Sequence, residues 1–217
     1  MTQHILNVLK PWPTRDLLTI DEAKVMLRIA PTDSTHDDEL AMMIVAVSSQ
    51  IAHMCNRVLG YDQVDETFYE AAGGERLYCS QWPVKFADIA SITLDGTDIL
   101  TDTSWVLEEK TGTLFRQGGW AGTIDMTYSG GYKIPEEAPP DLKRAAVAMT
   151  RDEYLMMLRG TALGGVRSIS HKSARIQYYP QGGQATSGAM GGGGSSMSPQ
   201  TMNAVTSVLR PYYRHWV

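Results

Sequence analysis

The residues able to do chemistry are few, and their spacing argues against most of it. His53 and Cys55 are metal-ligating types, yet on a helix residues two apart point to different sides and cannot chelate one ion. They read as a buried thiol and a surface imidazole. His171 and His215 have no partner at a recognisable ligand spacing. The acidic groups Asp37-Asp38-Glu39, Glu108-Glu109 and Glu136-Glu137 could supply paired carboxylates. Two of them precede or open helices, where the dipole favours negative charge, and the third flanks the Lys110-Thr111-Gly112 turn. Gly188–Ser196 sits where a phosphate loop would, but it lacks the Gly-Lys-Ser/Thr ending and reads as a linker. No Gly-x-Ser-x-Gly elbow and no Cys/His nucleophile pair occurs. The expectation is a protein with no catalytic residues, no metal and no cofactor, and not an enzyme.

Two groups suit contact rather than reaction. Arg159, Arg167, His171, Lys172 and Arg175 form a basic cluster in an acidic chain. They read either as a solvated loop or as a contact to DNA backbone or to an acidic neighbouring subunit. Val208, Leu209, Arg210, Tyr212, Tyr213, Arg214 and Trp216 close the sequence. Aromatic and arginine side chains on a free tail look like an anchor that orders on a partner; packing back onto its own domain is the other reading.

The elements that must position these residues can be read from capping and periodicity. Thr19-Ile20-Asp21-Glu22 is a capping box opening a helix to about Ala30, with Ala23, Val25, Met26 and Ile29 as its apolar side and Pro31 as its stop. A second helix spans about 36–59. Its first turn is acidic, and Leu40, Met43, Ile44, Val47, Ile51, Met54 and Val58 make one apolar face. Arg57 falls in its last turn and Gly60 comes next after Leu59. Residues 1–18, with Pro11 and Pro13, read as irregular. Between Asp65 and Tyr132 come short β runs: 67–70, 76–79, 89–94, 105–107, 113–116 and 123–128. Asp95-Gly96 is a hairpin dipeptide, and the spacing suggests a small antiparallel sandwich or barrel. Helical signals return from Pro140-Asp141 to Arg159, ended by Gly160. Two short strands come after it, at 166–170 and 174–179. The expected class is α+β: a helical core of two to three antiparallel helices, an inserted small antiparallel β domain and a flexible C-terminal arm. The boundaries are 1–64 and 134–180 for the discontinuous helical core, 65–133 for the β insert, 181–197 for the Gly/Ser-rich linker and 198–217 for the arm.

Composition narrows the function classes. The 217 residues are 43% hydrophobic and 20% charged, with a formal net charge of -5. That is ordinary for a globular chain and lacks the basic footprint of a sequence-reading DNA binder. It leaves room for a protein that merely surrounds DNA. Two cysteines, Cys55 and Cys79, carry no pairing motif and point to a reducing compartment. No signal peptide and no membrane span are expected.

Several stretches, in order, resemble the head–tail connector (adaptor, or head-completion) proteins of long-tailed bacteriophages. They are Leu18 through Ile29, then Asp37-Asp38-Glu39-Leu40, then the long helix ending Asn56-Arg57-Val58-Leu59. Trp120 with Ile124 through Tyr132 comes next, then Pro140-Asp141-Leu142-Lys143-Arg144-Ala145, and last Val208 through Arg214. The resemblance implies a ring, typically dodecameric, between portal and tail at the head–tail junction of the virion, assembled in the host cytoplasm. It implies as partners other copies of the chain, the portal, the next neck or tail protein and passing double-stranded DNA without sequence specificity, with no membrane. The C-terminal segment in such proteins commonly engages the portal. A tail-terminator or other neck component is the alternative, and a non-viral ligand-binding module the more distant one.

Overall fold

The computed structural model describes residues 3–162, 168–171, 174–177 and 199–214. The expected linker at 181–197 lies outside them, as do Arg167, Lys172 and Trp216. The α+β class is observed: four helices accompany antiparallel sheets among the described residues. The chain divides into two compact units. The first holds the described residues of Met1–Leu17, Ala52–Pro139 and Tyr213–Val217, and the second those of Leu18–Ile51 and Pro140–Tyr212.

The first unit is β-rich. Its main sheet orders β1 (Gln3–Lys10), β2 (Asp62–Ala72), β8 (Ala121–Gly130), β4 (Ile89–Leu94) and β5 (Thr97–Asp98), all antiparallel. A smaller sheet orders β3 (Arg76–Tyr78), β7 (Thr113–Arg116) and β6 (Trp105–Glu108). The central pair alternates faces as the pleat requires. Val64, Glu66 and Phe68 of β2 lie opposite Tyr128, Met126 and Ile124 of β8, and all six are buried. The outward residues of the same strands bond each other: Thr67 to Asp125 at 2.7 Å and Thr127 to Asp65 at 3.1 Å. Leu77, Ile92, Leu114 and Trp120 complete the core, with the Trp120 indole donating to the Leu114 carbonyl.

Two turns in this unit need special backbone. Asp95 and Gly96 both have positive φ, 49° and 78°, as a type I′ hairpin between β4 and β5 demands. Gly131 has φ 107°, and a Cβ there would come within 2.2 Å of the Gly60 carbonyl oxygen, so only glycine lets these backbones meet.

β1 corrects the reading of residues 1–18 as irregular. Pro11 and Pro13 lie beyond its end, and residues 3–10 pair with β2 from Gln3↔Tyr69 to Lys10↔Gln63. The next segment is then clamped. Buried Asp62 accepts from the Trp12 amide at 2.7 Å and from both terminal nitrogens of Arg15 at 2.9 and 3.0 Å, while the Trp12 indole donates to the Ile134 carbonyl at 2.6 Å.

The second unit is helical. α1 (Ile20–Leu27) begins at the expected capping box, with Thr19 Oγ1 accepting from the Glu22 amide at 3.1 Å and Glu22 accepting from the Thr19 amide at 3.0 Å. It stops before Ala30, because Arg28 takes the left-handed conformation at φ 61°. Its buried side is Ala23 and Lys24, not Val25 and Met26, which are 65% and 57% exposed. The physical reason is an ion pair: Lys24 Nζ meets Asp37 at 2.7 Å and can be buried with its charge answered.

α2 (Asp37–Met54) buries Leu40, Ile44, Val47 and Ile51 at helical spacing. It ends five residues before the expected 59, where Asn56 turns left-handed at φ 52°, so Val58 is exposed rather than part of the apolar face. α3 (Pro140–Ala162) buries Leu142, Ala145, Ala146 and Met149, runs through Gly160, and is contacted by α1 and α4 (Pro199–Leu209). Lys143 of α3 pairs with Glu22 of α1. β9 (Ser168–His171) and β10 (Ala174–Gln177) form a separate hairpin. No helix among the described residues is long and apolar enough to cross a membrane.

The capping box gives a direct test. Thr19→Ala should lower stability by about 1 kcal/mol, or ~2–4 °C in Tm for a chain of this size. Burial raises the Glu22 carboxyl, but the hydrogen bonds from Lys143 and Thr19 outweigh it and hold it below its ordinary value. A depressed carboxyl stabilises above the ordinary range and loses that contribution as pH falls through its folded value. Thermal melts should therefore show the wild-type advantage over Glu22→Gln shrinking in acid.

Candidate functional site

In the middle of β2, Glu66 has no exposed surface. Its carboxylate accepts from the Ser80 amide at 3.0 Å, from the Ser80 hydroxyl, and from the Tyr128 hydroxyl at 2.6 Å. His4 of β1 stands 3.9 Å away and stacks on Phe68. Tyr128 in turn accepts from the Gln81 amide at 3.1 Å. The result fixes the Ser80–Gln81 backbone after β3 to both central strands. It also reaches the end of the chain: Arg214 donates to the Ser80 hydroxyl at 2.8 Å, and its amide donates to the Cys55 carbonyl at 3.0 Å.

Beside this hub lies Arg57, 7% exposed. Its Nη2 donates to the Trp82 carbonyl, its Nε to the Val58 carbonyl at 3.4 Å, and its guanidinium lies 3.5 Å from the Trp82 ring centre with Tyr132 at 5.9 Å. Burial pushes its pKa down to about 10, and the Arg214 charge adds to that. The group stays a cation at neutral pH. From the sequence Arg57 reads only as a last-turn helix residue, because contacts to Trp82 and Tyr132 are non-local and leave no periodic trace.

Burial raises the Cys55 thiol to about 11, and burial with the nearby Glu66 charge raises Cys79 well above its ordinary value, so neither is a thiolate nucleophile near neutrality. Among the described residues no group of three or more His, Cys, Asp or Glu side chains could hold a metal ion.

The residues singled out in the sequence that are described lie on several elements. Arg159 lies in α3 and Arg175 in β10, while Arg167 and Lys172 lie outside the described residues. Leu209 is buried on α4, Val208 is half-buried and Arg210 exposed; Tyr212, Tyr213 and Arg214 are half-buried. Val205, on the same helix, is buried as well. Of the expected anchor residues, Arg214 reaches the Ser80 hub. The exposed apolar side chains are the feature that sequence reading missed. In the helical unit they are Val25, Met26, Met42 (74% exposed) and Val45; in the β unit they include Ile5, Val8 and Leu9 on edge strand β1, with Val106 and Phe115 on the small sheet.

Both thiols should be silent to an aromatic disulfide reagent at neutral pH in the native chain, and both should react after denaturation. Glu66→Ala should cost about 3 kcal/mol or more, since it orphans three buried donors, and should let the reagent reach Cys79. Rapid native labelling of either thiol in the wild type would contradict this packing.

A family model described as Head completion protein matches residues 16–155, from the α1 cap to most of α3. No curated protein matches the chain. A chain of the neck of an empty GTA particle, computed with C6 symmetry, superposes with a TM-score of 0.55 at 15% identity, over 98% of this chain and 97% of that one. A chain of the virion of a native gene transfer agent (GTA) particle does so with a TM-score of 0.53, at the same identity and coverage. At that identity the likeness is one of fold. The family match spans well over half of the sequence, and the chain belongs to the head completion protein family.

Proposed function

We propose that the chain is a structural virion protein of the head–tail junction, one subunit of a ring that extends the DNA channel from the portal and offers a platform to the next neck or tail protein. The observation that carries this reading is the family match across 16–155. The fold likeness to a neck chain in a particle computed with C6 symmetry supports it. Rotational symmetry needs a head-to-tail contact between two different patches of one subunit. The side chains left in water suit that need: the Met42–Val45 and Val25–Met26 stripes on helices, and the open edge of β1 with Ile5, Val8 and Leu9.

The C-terminal segment is our portal-docking element. Val208, Leu209, Arg210, Tyr212, Tyr213, Arg214 and Trp216 supply apolar, aromatic and cationic anchors, with Leu209 buried on α4 in the free chain. Arg159, Arg167, Lys172 and Arg175 contact passing DNA or an acidic neighbour. With a net charge of -5 the channel holds duplex weakly and without sequence preference.

Co-sedimentation of the full-length chain with its portal tests the docking. A stable complex is expected, with Tyr212→Ala/Tyr213→Ala weakening it by roughly tenfold or more at a temperature well below the melt of the variant chain. Unaltered portal binding by that variant would place docking elsewhere. Tight, sequence-selective duplex binding at physiological salt would contradict the channel reading.

A further inference from the structure

Arg57 offers more than its own fold uses. Nη1 is buried and has no hydrogen-bond partner. No Asp or Glu among the described residues comes within 4.0 Å of its nitrogens. The buried acids of the same unit are taken, Glu66 by Ser80 and Tyr128, and Asp62 by Arg15 and Trp12. A role confined to clamping the Trp82 turn would need the Nη2 bond and the ring stack. It leaves Nη1 unexplained, while a second guanidinium, Arg214, is held on Ser80 two residues from Trp82. A lone buried cation is costly, and like charges side by side make it more so.

We propose that Arg57, with Arg214 beside it, is a carboxylate-binding site, filled by a small free carboxylate or by an acidic side chain of a neighbouring copy. A planar carboxylate matches the fork of an arginine and answers the charge of Arg57. The Trp82 face at 3.5 Å walls one side of the guanidinium and strengthens the interaction by excluding water. A duplex is too bulky to bring its phosphates to a nitrogen this enclosed, whereas one carboxyl group is not. Entry needs a local opening. The Arg214 contacts to Cys55 and Ser80 are the ones that can part without touching the ladder of the main sheet.

Full-length protein is melted in about 100 mM sodium acetate and in sodium chloride of equal ionic strength at neutral pH. Acetate should raise the wild-type Tm by ~2–3 °C, the size expected for a ligand well above its Kd. Arg57→Gln should abolish the rise. Should Arg57→Gln not fold, Arg214→Gln, which keeps Arg57, should reduce the rise by about half. An equal rise in wild type and variants, or none in wild type, overturns the site. The melt is read on the isolated chain and stands apart from the ring reading. Sedimentation then separates the sources. Acetate that weakens wild-type self-association several-fold, and not that of Arg57→Gln, assigns the site to a neighbour's carboxylate. Association indifferent to acetate overturns the neighbour as source and leaves the free carboxylate.

Discussion

A carboxylate with no exposed surface sets the terms for the β unit. Glu66 stands on the inward face of β2, among residues that are otherwise apolar, and is tolerable there only because Ser80 and Tyr128 bring three donors to it. That requirement fixes the path of the chain after β3, the register of β2 on β8, and the seat of Arg214 through the Ser80 hydroxyl. Remove the acid and the donors remain, buried and unanswered. The hub is thus a constraint on conformation, and the Cys79 and Tyr128 side chains around it are pushed by burial toward their neutral forms.

Local chemistry is the legible part of the sequence. The Thr19–Glu22 box, the Leu40–Ile51 face and the Asp95-Gly96 turn are each decided by residues a few positions apart, and each stands in the structure as read. The illegible part depends on distant partners. Val25 and Met26 look like an inner face until Lys24 finds Asp37 thirteen residues on. β1 looks irregular until residues 62–72 supply its ladder. Arg57 and Glu66 carry no motif at all, since their meaning lies in Trp82, Ser80 and Tyr128.

The C-terminal segment shows the same limit from the other side. Its composition marks it as an anchor or as a piece of its own domain. In the structure Leu209 is core, while Arg214 bonds Cys55 and Ser80. Those contacts hold Arg214 at a defined place beside Arg57. In a structural protein such buried polar groups specify geometry.

The most direct measurement is a cryo-electron microscopy map of the neck in the assembled particle that carries this protein. The account predicts the chain as a rotationally symmetric ring between portal and tail, with α1, α2 and the β1 edge at subunit contacts and the C-terminal segment against the portal. A neck without density for this chain, or one holding it as an isolated copy, would contradict it.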